Sequence, residues 1–168
     1  SPQGYMYPWG TGCGMFGEGI ELSHYLSVLL AIDPGQSSGW ALFDVSRRLV
    51  SAGLGAPPAA LEVIIERPKI YPQGRQKARP EDVITLALDA GEWGGRYKQS
   101  GASVRYVEPD VWKGGSIPKE IHQPRIWAKL TEEEKTVLDK SCQKMAAGKR
   151  NNVVDAVGIG LWAIGRRA

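Results

Sequence analysis

Residues 26–35 read LSVLLAIDPG, and this stretch decides the fold. Its apolar residues indicate a strand buried on both faces, and the Pro-Gly pair directly after Asp33 predicts that the chain turns there. A carboxylate at the end of a buried strand is costly to leave alone, so Asp33 should be paired, protonated or bound to a cation. Because Asp-Pro-Gly also suits an ordinary turn, Asp33 by itself is compatible with a structural role.

Two further acids stand in comparable positions. Glu66 ends the largely apolar run at 61–65, and Asp155 is the sole ionisable residue within the apolar stretch 152–164. Each also has a structural explanation. Glu66 could pair with a neighbouring base, and Asp155 could be an acid in the first turn of the last helix, where the helix dipole favours an anion. Three carboxylates at the ends of three apolar elements nevertheless most simply share one cation site.

The order of the predicted elements gives the fold class. Apolar runs bounded by turn residues predict strands at 26–32, 40–43, 49–54, 61–66 and 103–107. Periodic segments predict helices at 80–98, 118–130, 131–146 and 152–166, the third of which begins with a capping box formed by Thr131 and Glu134. An antiparallel meander followed by strands that alternate with helices indicates an α/β fold, with a mixed five-stranded sheet flanked by helices.

The length and composition predict one folded domain. At 168 residues, of which 42% are hydrophobic, the chain can bury a sizeable core, and we assign this domain to residues 26–168. Residues 1–25 are rich in glycine and carry aromatic side chains without periodicity. We expect them to be a flexible arm or sequence outside the natural start, with an aromatic arm that packs on a partner as the alternative.

Cysteine use and hydropathy bear on the compartment. The two cysteines, Cys13 and Cys142, have no metal-type spacing, so they predict neither a zinc site nor a disulfide framework and fit a reducing compartment. No apolar stretch approaches the length of a membrane span, and the first 25 residues lack the basic start and apolar centre of a secretory signal. These features predict a cytoplasmic protein without a membrane partner.

A basic loop follows Glu66. The segment 67–79 holds five basic residues and no acid, although the net charge of the whole chain is only +3. Directly after a candidate catalytic acid, such a segment predicts binding to a polyanion, with a solvated surface loop as the alternative. Within it, Arg67 or Lys69 is the base that could neutralise Glu66. With two lysines further along the chain, the predicted DNA contacts are Arg67, Lys69, Arg75, Lys77, Arg79, Lys113 and Lys119.

Carboxylates fixed on rigid elements suit one kind of chemistry. Mg²⁺ takes oxygen ligands from a few carboxylates, water and substrate phosphate. Two such ions can activate the attacking water and stabilise the leaving oxygen in phosphodiester cleavage. Asp33, Glu66 and Asp155 beside a basic loop therefore predict a metal-dependent nuclease.

Several segments together carry a family resemblance. They are AIDPG at 31–35 with GWAL at 39–42, IIE at 64–66, WKG at 112–114 with SIPKE at 116–120, and NVVDAVGIGL at 152–161. In this order they resemble the RuvC-type Holliday-junction resolvases of the RNase H-like superfamily. The Asp-Pro-Gly segment alone also resembles the phosphate turn of actin-like ATPases, but 168 residues leave no room for the duplicated domain of that fold.

The resemblance implies a homodimer that binds a four-way DNA junction and makes paired cuts with Mg²⁺ or Mn²⁺, using two ions per site. It gives metal-ligand roles to Asp33, Glu66 and Asp155. Three residues before the last Asp, where the family has an acid or a histidine, this chain has Asn152. An amide oxygen can ligate a hard cation but brings no charge, so we expect Asn152 to be a weak ligand of the second ion.

Two features of recognition follow from the same resemblance. The family's loop after the second acid carries an aromatic side chain that enters the junction, and Tyr71 is the nearest match, with packing inside the loop as the alternative. The helix that begins at Pro80 is the expected dimer interface, although its apolar residues could equally face the sheet. They are Ile84, Leu88, Trp93 and Tyr97, with Gly91, Gly94 and Gly95 permitting close contact.

Other functions on the same fold stay open. One is a nuclease for other branched DNA or for RNA–DNA hybrids, since recognition of nucleic-acid shape uses backbone charge and geometry and leaves no readable motif. Another is a non-catalytic DNA-binding module, which the uncharged Asn152 favours.

Overall fold

The computed structural model describes residues 27–72, 74–75 and 77–166, so the predicted arm at 1–25 lies outside the described residues. Its strands are β1 (Ser27–Asp33), β2 (Gly39–Asp44), β3 (Leu49–Leu54), β4 (Glu62–Glu66) and β5 (Ser103–Val107). Its helices are α1 (Pro80–Gln99), α2 (Pro109–Lys113), α3 (Lys119–Ala128), α4 (Glu132–Cys142) and α5 (Ala147–Ala163).

The five strands form one sheet in the order β3-β2-β1-β4-β5. The pairs β1–β2 and β2–β3 are antiparallel, whereas β1–β4 and β4–β5 are parallel. This topology confirms the predicted mixed sheet, with an antiparallel meander on one side and parallel strands on the other. The central strand is β1, which the sequence marks as apolar on both faces.

Helices cover both faces of the sheet because successive side chains of a strand point in opposite directions. Leu29 and Ala31 of β1 belong to the core cluster shared with α5, whereas Leu30 and Ile32 belong to the cluster that includes residues of α1. Leu30, Ala31 and Ile32 are fully buried. In the part of the chain that is described, no helix is long and apolar enough to cross a membrane.

The helix α5 lies unusually close to β2. A Cβ atom at Gly39 would lie 2.1 Å from the backbone oxygen of Asn152, and one at Gly160 would lie 2.1 Å from the Phe43 ring. Real Cβ atoms do not approach other atoms so closely, so both positions require glycine. Gly39 and Gly160 therefore allow α5 to approach the sheet this closely.

The helices depart from the prediction at one boundary and by one additional helix. The last helix begins at Ala147 and not near 152, because its first turn is exposed and polar and carries no apolar pattern. Asp155 consequently lies near the middle of α5, and the prediction that the helix N-terminal dipole acts on it is wrong. The short helix α2, from Pro109 to Lys113, was not predicted at all, although Pro109 occupies its first turn and Gly114 ends it in a left-handed conformation.

A buried acid fastens α4 to the rest of the fold. The predicted capping box is confirmed, since Thr131 and Glu134 exchange side-chain-to-backbone hydrogen bonds. Glu134 is only 2% exposed. Its carboxylate also accepts from the Leu49 amide at 2.9 Å and from both terminal nitrogens of Arg166, at 2.6 and 2.8 Å. These contacts tie α4, the start of β3 and the segment after α5 together.

Candidate functional site

The three predicted acids meet at one end of the sheet. Asp33 and Glu66 are the last residues of β1 and β4, two adjacent parallel strands. The register pairs Ile32 with Ile65, so one further residue brings Asp33 level with Glu66. Asp155 faces them from α5, which packs across β1 and β2. The expected juxtaposition is therefore present, although the catalytic role of these acids stays a prediction.

The acids repel one another in a poorly solvated place. Burial raises the pKa of Asp33 well above its usual value, and the negative charges of Glu66 and Asp155 raise it further, against the opposing effect of Lys113 and Lys119. Burial likewise raises the pKa of Glu66, against the opposing hydrogen bond from Trp112. Raised pKa values on neighbouring carboxylates signal negative charge that the protein itself does not fully neutralise.

Two aromatic side chains that the sequence analysis did not single out donate to these acids. The Trp112 Nε1 atom lies 2.5 Å from Oε2 of Glu66, and the His122 Nε2 atom lies 2.8 Å from Oδ1 of Asp155. Gln123 adds a donor to the same Asp155 oxygen at 3.3 Å. His122 lies in α3 at no recognisable spacing from another site residue. Trp112 belongs to the segment 112–114, which contributes to the family resemblance but does not point to Glu66. Neither carried a sequence signal for this contact.

Asn152 lies one helical turn before Asp155 and contacts the turn after β1. Its Nδ2 atom donates to the backbone oxygen of Ser37 at 2.8 Å. This bond fastens α5 to the β1–β2 turn, directly beside the close approach at Gly39. The predicted role of Asn152 as a metal ligand stays a prediction, and its observed contact is an anchoring one.

The start of the basic loop is neutralised by Glu108, which precedes α2, and by Asp110 in the first turn of α2. Arg67 pairs with Glu108 at 2.8 Å, and Lys69 pairs with Asp110 at 2.6 Å and with Glu108 at 3.2 Å. The alternative that Arg67 or Lys69 neutralises Glu66 is therefore not what the structure shows. These ion pairs hold the loop against α2, which leaves both bases less available to a ligand.

The remaining predicted DNA contacts differ in position. Arg75 and Lys77 are exposed, and Arg79 is exposed and pairs with Asp82 at 3.2 Å. Lys113 and Lys119 lie near the acids, since both lower the pKa of Asp33. Arg67, Lys69 and Arg79 are therefore paired with acids, whereas Arg75 and Lys77 are exposed to solvent.

Tyr71 is half-buried, with the Lys69 ammonium 5.8 Å from the centre of its ring. This position matches the alternative of packing inside the loop. Its neighbour Ile70 is 81% exposed, the highest value among the exposed large hydrophobic residues. Ile70 is thus a large apolar side chain that this loop presents to solvent.

The donor set fits a hard divalent cation. Within residues 27–72, 74–75 and 77–166, no group of three or more His, Cys, Asp or Glu side chains is already arranged to hold a metal ion. The three acids nevertheless supply only carboxylate oxygens, the ligands that Mg²⁺ and Mn²⁺ prefer. Because the charges of neighbouring acids help to raise the pKa of Asp33 and of Glu66, a cation would relieve repulsion present in the protein alone.

Comparison with known proteins identifies the fold and nothing finer. No family model matches the sequence, and no curated protein sequence matches it. Among solved structures, T. thermophilus RuvC in complex with a Holliday junction substrate superposes with a TM-score of 0.50 at 15% identity, covering 83% of this chain and 97% of that one. The fold is that of a RuvC-type resolvase.

Two further resolvase structures give weaker superpositions. The yeast mitochondrial Holliday junction resolvase Ydc2 has a TM-score of 0.49 at 12% identity, over 80% of this chain and 76% of that chain. The Fowlpox virus resolvase in complex with Holliday junction DNA has a TM-score of 0.48 at 14% identity, over 81% and 97%. The fold assignment rests on the superposition with T. thermophilus RuvC, and any functional assignment rests on the site.

Proposed function

We propose that this protein is a metal-dependent, structure-selective DNA endonuclease that cleaves phosphodiester bonds at four-way junctions. One observation carries the proposal: Asp33, Glu66 and Asp155 converge at one end of the sheet, where burial and the charges of the other acids raise the pKa of Asp33 and of Glu66. A cluster of that kind needs a cation, and a RuvC-type fold is one on which such a cluster can serve phosphodiester cleavage.

The three acids would hold Mg²⁺ or Mn²⁺. Two such ions, when bound, supply an activated water and stabilise charge on the leaving oxygen. Lys113 and Lys119 bring positive charge to the same place, so they would attract the scissile phosphate to the acids. Because Asn152 adds no charge and already donates to Ser37, we expect the second ion to bind more weakly than the first.

Junction binding would rest on the exposed bases for which the described residues provide no ion pair. Arg75 and Lys77 are exposed in the loop, whereas Arg67 and Lys69 are held by Glu108 and Asp110. We therefore give Arg75 and Lys77 the larger share of phosphate contacts and the other two a supporting share.

Ile70 replaces Tyr71 as the residue that we expect to enter the branch point. Proteins that distort DNA insert apolar side chains such as Ile between base steps. At 81% exposure, Ile70 can reach a base step, whereas the Tyr71 ring lies beneath Lys69.

A homodimer would supply two active sites for symmetric cuts. On α1, Ile84 and Leu88 are 59% and 69% exposed, and a Cβ added at Gly91 would meet open space. Trp93 and Tyr97 instead pack with the core, so half of the predicted interface is ordinary core. Light scattering should show a dimer for the wild-type protein and a monomer for Leu88→Glu, which places a charge on the exposed side of α1.

The second candidate function is a DNA-binding module without catalysis. The observation that favours it is Asn152, an uncharged side chain engaged as a donor where the resemblance implies an acid or a histidine. Junction binding would be preserved in such a protein, because affinity comes from bases on phosphates and not from the acids. A cytoplasmic location, predicted from the sequence, suits either function.

One assay separates these possibilities. Purified protein is incubated with a labelled four-way junction, duplex, flap and RNA–DNA hybrid, in Mg²⁺, Mn²⁺ or EDTA, with Asp33→Asn as the matched control. We expect cleavage of the junction alone, only with a divalent ion and only by the wild-type protein. Tight junction binding without cleavage in either metal would establish the non-catalytic module, and cleavage of flap or hybrid in preference would redirect the substrate assignment.

A further inference from the structure

We propose that Trp112 and His122 are positioning residues, each of which orients one metal-binding carboxylate by donating a single N–H bond to it. The proposal rests on the proposed function, since it concerns the acids that would hold the ions. It assigns a role to two side chains from α2 and α3 that are not metal ligands.

Trp112 leaves one oxygen of Glu66 available. The indole Nε1 can only donate, and it lies 2.5 Å from Oε2 of Glu66. The ring is 7% exposed, and α5 leaves room for it: a Cβ atom at Gly158 would lie 2.6 Å from both the Trp112 ring and the Ile126 side chain. Because the buried Trp112 ring cannot turn, the direction of its N–H is fixed. The Glu66 carboxylate that accepts this hydrogen bond is thereby held in one orientation.

His122 treats Asp155 in the same way. Its Nε2 lies 2.8 Å from Oδ1 of Asp155, and the two side chains are 6% and 14% exposed. A carboxylate can only accept, so the hydrogen of this bond lies on Nε2. Within the described residues the buried Nδ1 atom has no hydrogen-bond partner, and a ring with its hydrogen on Nε2 leaves no N–H unpaired there.

The same atoms argue against His122 as a direct metal ligand. A cation on Nε2 would move the ring hydrogen to Nδ1, and a histidine that ligates a metal almost always donates that hydrogen to an acceptor. No acceptor faces Nδ1 in the described part of the chain. His122 is therefore suited to hold Asp155 and not to replace it.

The two rings support each other. Trp112 and His122 meet edge to face, with ring centres 5.7 Å apart and planes at 89°. Glu66, Trp112, His122 and Asp155 consequently form one continuous chain of contacts around the site. Carboxylates held in a fixed orientation bind a metal more tightly than mobile ones. This effect matters most in a site where the uncharged Asn152 stands in place of an acid.

Metal affinity measured without cleavage tests the positioning role. Mn²⁺ binding to the metal-free full-length protein is followed by electron paramagnetic resonance for wild type, Trp112→Phe, His122→Ala and His122→Gln. We expect Trp112→Phe and His122→Ala to weaken Mn²⁺ binding about 10- to 100-fold and to lower kcat for junction cleavage more than they raise KM. His122→Gln keeps an N–H donor at similar reach and should recover most of the affinity.

The control is Trp93→Phe, which removes an indole N–H donated to the Ser38 hydroxyl at 3.2 Å and touches no acid of the site. Its Mn²⁺ affinity should equal that of the wild type. Circular dichroism and thermal melting establish that each variant is folded. If His122→Ala does not fold, Trp112→Phe, the mildest change, decides the test.

The outcomes separate this proposal from the proposed function. Folded Trp112→Phe with wild-type Mn²⁺ affinity, or His122→Gln as weak as His122→Ala, would overturn the positioning role and leave the nuclease assignment standing. Wild-type protein that binds no Mn²⁺ at millimolar concentration would overturn the nuclease assignment and the positioning role together.

Discussion

Two carboxylates in this molecule, the buried Glu134 and the half-buried Asp33, have opposite surroundings. Burial alone would raise the pKa of Glu134, but hydrogen bonds from Arg166, Thr131 and Leu49 bring it below the usual value. Burial also raises the pKa of Asp33, and there Glu66 and Asp155 raise it further. Glu134 is surrounded by hydrogen-bond donors and a cation. Asp33 instead lies near two further negative charges, which Lys113 and Lys119 oppose only in part.

The difference distinguishes a structural acid from a candidate functional one. A structural acid such as Glu134 receives its counter-charge from the chain, so nothing outside the protein is needed to satisfy it. The acids at the end of β1 and β4 leave part of the charge balance to a ligand. Desolvation acts to raise the pKa of both acids, so the charges and donors around each carboxylate carry the functional information.

Removing one charge from the site should give the largest effect. Asp33→Asn keeps the size of the side chain but removes a metal ligand, so junction cleavage should fall at least about 100-fold, since a metal contributes several kcal/mol to the transition state. Junction affinity should be unchanged, and the metal-free variant should be no less stable than wild type because repulsion is relieved. Full cleavage by Asp33→Asn would remove Asp33 from the site.

Removing the structural acid should act on stability. Glu134→Gln leaves the Arg166 guanidinium without its carboxylate, and we expect a loss of about 2 kcal/mol in the free energy of unfolding, less than for a fully buried pair because Arg166 is 30% exposed. Urea unfolding measures this loss. Glu132→Gln on the same helix is the control, since that acid is 86% exposed and its removal should leave stability unchanged.

The pH dependence of stability should run in opposite directions for the two acids. In EDTA, where no metal is bound, the raised pKa of Asp33 stabilises the folded protein at pH values below the ordinary pKa of 3.8. This stabilisation is lost as the pH rises through the raised pKa. The lowered pKa of Glu134 gives a contribution that is present above its ordinary 4.5 and lost as pH falls. Wild type should therefore lose stability relative to Asp33→Asn with rising pH, and its advantage over Glu134→Gln should shrink with falling pH.

Urea unfolding from about pH 3.5 to about pH 7 measures both differences. Parallel curves for wild type and Asp33→Asn would show that the site acids do not repel one another in solution.

The basic residues offer a smaller contrast of the same kind. Replacing Arg75 and Lys77 by Gln should weaken binding to every DNA substrate about equally and lower the slope of log affinity against log salt by about 2. Replacing Arg67 and Lys69 should lower that slope less, since Glu108 and Asp110 already neutralise them. Equal slopes for all variants would make the loop a solvated surface.

The smallest effect is expected at Asn152. Asn152→Asp adds a carboxylate beside Asp155, so the Mg²⁺ concentration for half-maximal cleavage should fall a few-fold. It also removes the hydrogen bond to Ser37, at a cost of about 1 kcal/mol in stability. Titration of Mg²⁺ in the cleavage assay measures the first effect, and Asn152→Ala with wild-type metal dependence would show that this side chain does not touch metal.

The sequence was informative where local pattern and strand order determine position. Asp33 and Glu66 end apolar runs, and two parallel strands then bring them level. The start of α5 could not be predicted in the same way, because its exposed first turn has no apolar face to reveal it. Arg67 and Lys69 were predicted to contact DNA, but their partners Glu108 and Asp110 come from a segment that only the tertiary fold brings near.

The two positioning residues show the same limit more clearly. Trp112 is separated from Glu66 by 46 positions, and His122 from Asp155 by 33. Neither contact leaves a periodicity or a spacing in the sequence, since each depends on how α2 and α3 pack over the end of the sheet. Contacts of this kind, between residues far apart in the sequence, can be located only from the tertiary structure.

The distribution of the acids along the chain has a consequence for biosynthesis. β1 is the first of the described strands and α5 the last of the described helices. A chain synthesised from its N-terminus forms the β1–β2 hairpin early, then adds β4, and receives Asp155 only when α5 has left the ribosome. Until then the nascent chain has only Asp33 and Glu66 of the three site acids, and it lacks the helix that packs against Gly39. A prematurely ended chain that lacks α5 would therefore contain no complete site, and the proposed cleavage of DNA would begin only once α5 has been made.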